Sequence, residues 1–449
     1  MLRVSPSTDQ LVARLLRPFA KVEPSEAVTA AVMTLCVFLL LLAYYLLKTA
    51  REPLILLHGG AEVKAYAAAG QSLLLIPVVR VYAELARRVG RMQLVGATYG
   101  FFAANLLLFA VLARANWSLG VPFYLWVGIF NVTAIAQFWS FANDIYTAEQ
   151  GKRLFAVLGI GSSLGAVMGS LVASRLAGLG PEALMLCAAI VLLGCIWLLI
   201  WIDRRERAAA RLRSAAEPPA EPVLDQPMLS FLLTDRYLLL IAALTFLLNY
   251  VNSNGEYVLD RTLLASVAQH GWDPADAAKF VAGFKAEYFG WVNLIGVLLQ
   301  LFAVSRIMTR FGVSNTLFVL PLVAFMSYSV ILTAPILALI RIGKIAENSL
   351  DYSLQNTARQ ALFLVSSRAE KYVGKTVVDT FVVRVGDVCS AASVWLAAHF
   401  ALPTRAFAAV NLGLIAIWLG VLAAIRVEHA LRVKQRASVP SSDAMEPAA

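Results

Sequence analysis

Charged residues are scarce in this 449-residue chain: Asp, Glu, Lys and Arg make up 15% of it, whereas hydrophobic residues make up 60%. A soluble globular domain has about a quarter of its residues charged, so this composition excludes that class. Apolar runs of about twenty residues recur along the chain, which is the length that an α-helix needs to cross a bilayer core. Open sheet is excluded there because its unpaired backbone groups would find no water. The sequence therefore predicts an all-α polytopic membrane protein, with lipid as a partner.

Cysteine and histidine are equally rare, with four residues of each. The cysteines lie in apolar runs without a Cys-x-x-Cys pair, which is typical of small packing residues. The histidines are scattered singly, which argues against a metal site. The sequence contains no recognisable arrangement of a nucleophilic side chain with a general base. We therefore expect no enzymatic activity, no catalytic residues, no metal and no cofactor.

The net charge of +10 could suggest a nucleic-acid partner, but the basic residues cluster in short loops between apolar runs. That placement is typical of cytoplasmic loops of membrane proteins. The loops after the second, fourth, eighth and tenth runs carry Lys and Arg, whereas the opposite loops are nearly free of them. We therefore expect no nucleic acid as a partner and both termini on the cytoplasmic side. The lack of a signal or transit-like leader favours a bacterial inner membrane.

Twelve membrane spans can be placed along the chain. They divide it into a cytoplasmic N-terminal segment (1–26), a six-helix half (27–203), a polar cytoplasmic linker (204–235), a second six-helix half (236–427) and a cytoplasmic tail (428–449). The oligomeric state is left open, and a monomer is compatible with this plan. The predicted spans are about 27–49, 64–86, 93–113, 119–145, 154–177, 181–203, 236–264, 279–307, 313–333, 335–362, 374–400 and 404–427.

The two halves are similar in sequence. Arg87-Arg88-Val89-Gly90 after the second span matches Thr309-Arg310-Phe311-Gly312 after the eighth, and Gly151-Lys152 matches Gly374-Lys375 at nearly the same offset. Matches at one offset predict two parallel six-helix repeats. This plan resembles that of the major facilitator superfamily. Within the fifth span, the run Leu158–Ser170, with Gly159, Gly161 and Gly165, contains a Gly-x-x-x-Gly spacing that predicts close packing against another helix.

Ionisable residues inside spans are costly, so they normally face a polar cavity or a charged partner. One interpretation is a cationic cavity that holds an anionic substrate, with carboxylates that balance it. The other is structural ion pairing between helices, and the sequence leaves both open. The cations that would bind the substrate are Lys48, Arg51, Arg80, Lys285, Arg341 and Lys344, and the carboxylates are Asp144, Glu256, Glu287 and Asp351.

The tenth span has a more specific pattern. Arg341, Lys344, Asn348 and Asp351 advance by three or four residues, so they form one polar stripe on an apolar helix. A stripe of that length has to face a cavity or another polar stripe.

Several short motifs resemble the nucleotide (ATP/ADP) translocases of plastids and intracellular bacteria, within the major facilitator superfamily. They are Leu46-Leu47-Lys48-Thr49-Ala50-Arg51-Glu52-Pro53-Leu54 with Gly60-Ala61-Glu62-Val63, Phe138-Trp139-Ser140-Phe141-Ala142-Asn143, Tyr352-Ser353-Leu354, and Val373-Gly374-Lys375 with Asp379. The resemblance runs from about residue 40 to 425. It implies exchange of nucleotides across the membrane, with a nucleotide as the anionic partner.

The resemblance also implies roles for particular residues. Arg51, beside Lys48, takes the place of the family's basic residue in span one, Glu256 that of the glutamate in span seven, and Lys375 that of the lysine at the start of span eleven. Asn143 belongs to the matching aromatic–Asn segment of span four. The family's span-four acid is replaced by Val127. The lysines before Tyr352 are replaced by Asn348 and Asp351, and the Phe-Asp-Pro after Leu354 by Gln355-Asn356-Thr357.

Three hypotheses follow. The first is a transporter of nucleotides or a related anionic metabolite, working by alternating access around a cationic midplane site. The second is a proton-coupled carrier of another solute, in which Glu256, Glu287 or Asp144 takes up the proton. The third is a membrane component that has lost transport.

Overall fold

Long α-helices make up the computed structural model, which describes residues 10–14, 22–115, 117–210, 235–363 and 378–438. No strand occurs within these ranges. The helical run Pro24–Arg88 is broken at Gly60 and so contains α1 (24–59) and α2 (61–88). The other uninterrupted helices are α3 (Arg91–Arg114), α4 (Gly120–Ile145), α5 (Ala148–Leu176), α6 (Pro181–Ala210), α7 (Arg236–His270) and α12 (Thr404–Ser438).

Four helices are interrupted. The α8 helix starts as Pro274–Leu299 and continues through a π-helical turn, Gln300–Val304, into Ser305–Phe311. The α9 helix comprises Val313–Thr316 and Val319–Thr333. Two further helices also contain a π-helical turn: they are α10 (Leu337–Leu350, Asp351–Gln355, Asn356–Leu362) and α11 (Val378–Val382, Val383–His399).

These twelve helices of the described residues correspond one by one to the twelve predicted spans. Nine apolar helices in the same ranges are long enough to cross a membrane, and one of the nine is the run Pro24–Arg88, which contains two spans. The α10 and α11 helices are not among the nine, and both carry charged side chains along their length. The predicted all-α polytopic fold is confirmed.

The observed helices are longer than the predicted spans. The first was expected to end at residue 49, but α1 continues to the break at Gly60, where φ is 79° and ψ is 178°. The seventh continues to His270 and the twelfth to Ser438. Hydropathy marks only the apolar part of a helix, whereas its backbone hydrogen bonds extend through polar residues beyond the membrane core.

Two compact units divide the chain. The first comprises Met1–Glu221 with Leu263–Leu294, and the second comprises Pro222–Thr262 with Ile295–Ala449. The end of α7 and most of α8 thus belong to the first unit. The division into the six-helix halves 27–203 and 236–427 stays a prediction.

Close packing of α5 against α1 organises the first unit. A Cβ atom added to Gly165 would lie 2.2 Å from the carbonyl oxygen of Phe38, and one added to Gly169 would lie 2.8 Å from Cα of Leu42. Real Cβ atoms do not approach that closely, so only glycine permits this helix separation. Around the contact between α1 and α5, buried apolar residues of α1, α3, α4 and α6 form one continuous core. The core holds α1 in a fixed rotation, and that rotation determines where its charged residues point.

Candidate functional site

Four cations and one carboxylate of the first unit lie close together, and we call them the cationic cluster. Lys48, Arg51 and Glu52 come from α1, Lys64 from the start of α2, and Lys285 from α8. The break at Gly60 turns the chain between α1 and α2, which allows Lys64 to approach Glu52 although twelve residues separate them.

Glu52 is the common partner within the cationic cluster. Its Oε2 accepts a hydrogen bond from Nζ of Lys64 at 2.5 Å and lies 3.7 Å from Nζ of Lys285. Its Oε1 accepts a hydrogen bond from Nε of Arg51 at 3.2 Å. The side chains of Glu52 and Lys285 are fully buried, while those of Arg51 and Lys64 are 12% and 11% exposed.

Aromatic rings contact the cations of the cluster. Nζ of Lys48 lies 4.1 Å from the ring centre of Phe289 and 5.2 Å from that of Tyr45. The guanidinium carbon of Arg51 lies 4.4 Å from the ring centre of Tyr124. Rings at these distances attract a cation through their quadrupoles and keep water away from it.

A chain of hydrogen bonds fixes one of these rings. The hydroxyl of Tyr45 donates to Oδ1 of Asn293 at 2.9 Å, and Nδ2 of Asn293 donates to Oγ of Ser170 at 3.3 Å. The chain joins α1, α8 and α5 and leaves the Tyr45 ring beside Lys48. These hydrogen bonds therefore hold the Tyr45 ring in a fixed position at the cationic cluster.

Several cations converge on the carboxylate of Glu52. Arg51, Lys64 and Lys285 form ion pairs with its oxygens, and Lys48 stands four residues before it on α1. Arg51 and the lysines supply hydrogen-bond donors suited to phosphate or carboxylate groups.

A second polar group lies between α7 and α10 of the second unit. Nδ2 of Asn348 donates to Oε1 of Glu256 at 2.8 Å. Nζ of Lys344 donates to Oδ1 of Asn252 at 2.7 Å and to Oε2 of Glu347 at 3.1 Å. Two members of the polar stripe predicted on the tenth span, Lys344 and Asn348, thus face Asn252 and Glu256 on α7. Asn252, Glu347 and Asn348, with Asp351 and Trp418, line a small cavity.

The structure separates other candidates from the cationic cluster. Arg80 is exposed on α2, and at sixteen residues beyond Lys64 it lies about 24 Å farther along the helix. Asn143 and Asp144 are exposed at the end of α4, where Asp144 Oδ2 lies 4.0 Å from Nη1 of Arg91. Glu287 is exposed on α8.

The remaining candidates belong to the second unit or lie outside the described residues. Arg341 and Asp351 are half-buried on α10, and Glu256 is half-buried on α7. Lys375 lies outside the described residues. The structure thus brings together Lys48, Arg51 and Lys285 in one group, and Glu256 with Lys344 and Asn348 in another.

Sequence reasoning missed Glu52 and Lys64 as members of the site. The residues after 49 were expected to form a loop, so Glu52 was noted only as part of a motif. Two signals were available: Glu52 stands four residues after Lys48 on one helix face, and Lys64 opens the second predicted span. Val127, which stands where the family has an acid, is fully buried in the apolar core.

Comparison with known proteins gives a consistent picture. The family model of the Major Facilitator Superfamily matches residues 31–354. The ADP,ATP carrier protein 1 of Chlamydia trachomatis is 22% identical over 311 residues, which are 60% of this chain and 57% of the relative. The ADP,ATP carrier protein 1 of Chlamydia pneumoniae is 21% identical over 360 residues, which are 70% of this chain and 68% of the relative.

The chain thus spans less than two thirds of the length of the first of these relatives. Among solved structures, the crystal structure of the nucleoside transporter NupG has a TM-score of 0.63 at 11% identity, covering 89% of this chain and 98% of that one. At that identity the likeness concerns the fold alone. The chlamydial relatives confirm the resemblance drawn from the short motifs, at a distant level.

Proposed function

Because the chain belongs to the major facilitator superfamily, we propose that it is a membrane transporter of nucleotides or a related anionic metabolite. It works by alternating access, in the manner of ATP/ADP exchange. Both termini lie on the cytoplasmic side of a bacterial inner membrane.

The observation that carries this proposal is the convergence of three cations, Arg51, Lys64 and Lys285, on the buried carboxylate of Glu52. Arginine and lysine side chains gathered in one place supply the hydrogen-bond donors that a phosphate or carboxylate group needs. The names of the chlamydial relatives, ADP,ATP carriers, support a nucleotide as the anion.

Each member of the cluster has a role in this proposal. Arg51 binds a phosphate group through two parallel hydrogen bonds, since the planar guanidinium matches the geometry of an oxyanion. Lys48 and Lys285 act as point charges beside it. In the second unit, Lys344 and Arg341 add binding groups, and Glu256, held by Asn348, orients the substrate or couples its movement.

The carboxylates of the second unit also support a second candidate, a proton-coupled carrier. Glu347 and Asp351 line the cavity that Asn252 and Trp418 share, and one Glu347 oxygen and the Trp418 ring nitrogen are buried there with no hydrogen-bond partner. A carboxylate in such a position could accept a proton. Transport by this route would follow a pH gradient and would not require a counter-substrate.

Uptake of labelled ADP into vesicles that hold the purified protein separates the two candidates. The vesicles are preloaded with unlabelled ATP or left empty, with or without an imposed pH gradient. We expect uptake only into preloaded vesicles and its loss in Arg51→Ala, because the cluster then lacks its bidentate donor. Arg87→Ala is the matched control, since Arg87 is an exposed cation paired with Glu84 on α2.

Uptake into empty vesicles that follows the pH gradient would favour the proton-coupled carrier. If protein shown to be folded takes up none of the nucleotides tested, under either loading condition, the proposal is wrong.

A further inference from the structure

A cavity of about 200 Å³ lies between α7, α11 and α12 of the second unit, apart from the cationic cluster and from the polar group around Lys344. Its wall is mostly apolar. Leu396 and Ala397 come from α11, Leu402 from the turn after it, and Phe407 and Val410 from α12. An apolar cavity of about 150 Å³ stays dry and takes up a molecule of the size of benzene. The cavity therefore has the room and the walls for an apolar group.

The two polar side chains of the cavity wall, Asn254 and Ser393, already have hydrogen-bond partners within the protein. Nδ2 of Asn254 donates to Oδ1 of Asn411 at 3.1 Å, and Oδ1 of Asn254 accepts from Oγ of Ser390 at 2.9 Å. Oγ of Ser393 donates to the carbonyl oxygen of Cys389 at 3.0 Å. A polar solute would have to compete with these hydrogen bonds, whereas an apolar chain leaves them in place.

The cavity is open on the outer surface of the helices. Three of its lining residues, Leu396, Leu402 and Val410, are 48%, 39% and 52% exposed. Phe407 on the inner side is buried and packs against Tyr257, with ring centres 4.9 Å apart. Exposed leucine and valine side chains of a membrane-spanning helix contact lipid tails, which are as apolar as they are. An acyl chain can therefore enter the cavity sideways from the bilayer.

Two arginines lie at the end of the cavity that Leu402 and Ala406 form. Nη1 of Arg261 on α7 donates to the carbonyl oxygen of Leu402 at 2.8 Å. Arg405 directly precedes Ala406 on α12, and its Nη2 donates to the carbonyl oxygen of Thr333 at 3.1 Å. A guanidinium group has five N–H donors, so one hydrogen bond to a carbonyl group is compatible with a further bidentate contact to phosphate.

The arginines are also at the depth at which lipid phosphate groups lie. Arg405 is the second residue of α12, and Arg261 stands three residues before the predicted end of the seventh span at residue 264. Asp260, the neighbour of Arg261 in the chain, is only 2% exposed, so its carboxylate is not at the surface where a phosphate would bind. An apolar cavity beside two arginines matches a molecule with an acyl chain and an anionic headgroup.

We propose that the second unit binds an anionic phospholipid, with one acyl chain in the cavity between α7, α11 and α12 and the phosphate held by Arg261 and Arg405. None of these residues belongs to the groups to which transport is assigned above, so the lipid site does not depend on which solute is carried. The bound lipid contacts three helices and stabilises the folded protein according to its affinity.

Native mass spectrometry of the purified protein, released from detergent micelles, measures the dissociation constant of the first bound lipid. The probes are phosphatidylglycerol, phosphatidylcholine with the same acyl chains, and glycerol phosphate as a headgroup without chains. We expect phosphatidylglycerol to bind at least about tenfold more tightly than phosphatidylcholine, and glycerol phosphate to remain unbound at the same concentrations.

The headgroup contact is tested by combining Arg261→Gln with Arg405→Gln. This double variant should lose the preference for phosphatidylglycerol, because the two charges that face the phosphate are gone. Arg306→Gln is the matched control, since Arg306 is an exposed arginine of α8 that also donates to a backbone carbonyl oxygen, that of Phe302. We expect Arg306→Gln to bind both lipids like the wild type.

The acyl-chain contact is tested by Ala406→Phe, which places a large side chain in the cavity and leaves both arginines unchanged. We expect phosphatidylglycerol to bind at least about tenfold more weakly. Ala409→Phe is the matched control, because Ala409 is exposed on the same helix and does not line the cavity.

Three results would overturn the inference. Equal binding of the two lipids by the wild type would show that the arginines do not select a headgroup. Tight binding of glycerol phosphate would show a site for free phosphate. Unchanged binding of phosphatidylglycerol by folded Ala406→Phe would show that the cavity holds no acyl chain. Because no nucleotide is used, none of these results bears on the proposed transport.

Discussion

Gly60 has a backbone conformation that is essentially restricted to glycine, with φ at 79° and ψ at 178°. It ends α1 and begins α2, and so it sets the distance between Glu52 on one side and Lys64 on the other. The backbone conformation of Gly60 thus determines whether the Glu52 carboxylate and the Lys64 ammonium group can form an ion pair.

Replacing Gly60 with alanine should therefore destabilise the protein. A side chain in this region of backbone space costs about 1–3 kcal/mol, and the change should lower the melting temperature in detergent. Gly70→Ala is the matched control, because a Cβ added there would have no heavy atom within 4 Å. Equal melting temperatures of Gly60→Ala and Gly70→Ala would contradict the assigned conformation.

Single residues also show where sequence reasoning reached its limit. Lys48 and Arg51 could be predicted as functional candidates, because a cation within an apolar run is costly and needs a reason. Glu52 could not be predicted as their partner, because its proximity to Lys64 and Lys285 depends on the turn at Gly60 and on the packing of α8. Composition and spacing carry no information about contacts between distant helices.

At the scale of helices, close packing of α5 against α1 holds α1, which carries Lys48, Arg51 and Glu52, in place. Gly161, Gly165 and Gly169 recur every fourth residue and face Thr34, Phe38 and Leu42 of α1. The spacing alone predicted a close helix contact, and the structure identifies α1 as the partner.

Gly165→Ala should separate α1 from α5 or force the backbone to shift. The added Cβ would lie 2.2 Å from the carbonyl oxygen of Phe38, and overpacking of this kind typically costs about 1–3 kcal/mol. We expect a lower melting temperature and reduced exchange, because α1 carries Lys48 and Arg51. Gly159→Ala, where an added Cβ has no heavy atom within 4 Å, is the control on the same helix. A Gly165→Ala protein as stable as Gly159→Ala would contradict the close contact.

Helix lengths were predicted less well than helix positions. Each of the twelve predicted spans coincides with a helix of the described residues, yet α1, α7 and α12 extend beyond their predicted ends. Hydropathy reports the lipid-facing part of a helix, whereas a capping residue or a glycine ends it. The segment between residue 49 and Gly60, which contains Arg51 and Glu52 of the cationic cluster, was predicted as a loop for this reason.

At the scale of the whole molecule, the two units differ in the charge that they bury. The first unit contains the cationic cluster with Glu52 as its carboxylate. The second pairs Lys344 with Glu347 and holds Glu256 and Asp351 on the same helices. This difference could not be predicted from net charge, because +10 mostly reflects basic loops.

The central claim is that the cationic cluster binds a nucleotide, and equilibrium binding of labelled ADP to purified Lys285→Met tests it most directly. Methionine keeps an unbranched side chain that ends one atom short of the lysine ammonium and carries no charge. Lys279→Met is the matched control, since Lys279 is exposed on the same helix and pairs with Asp276. We predict that Lys279→Met binds ADP like the wild type and that Lys285→Met binds it at least about tenfold more weakly. Equal affinity of Lys285→Met and the wild type would contradict the account.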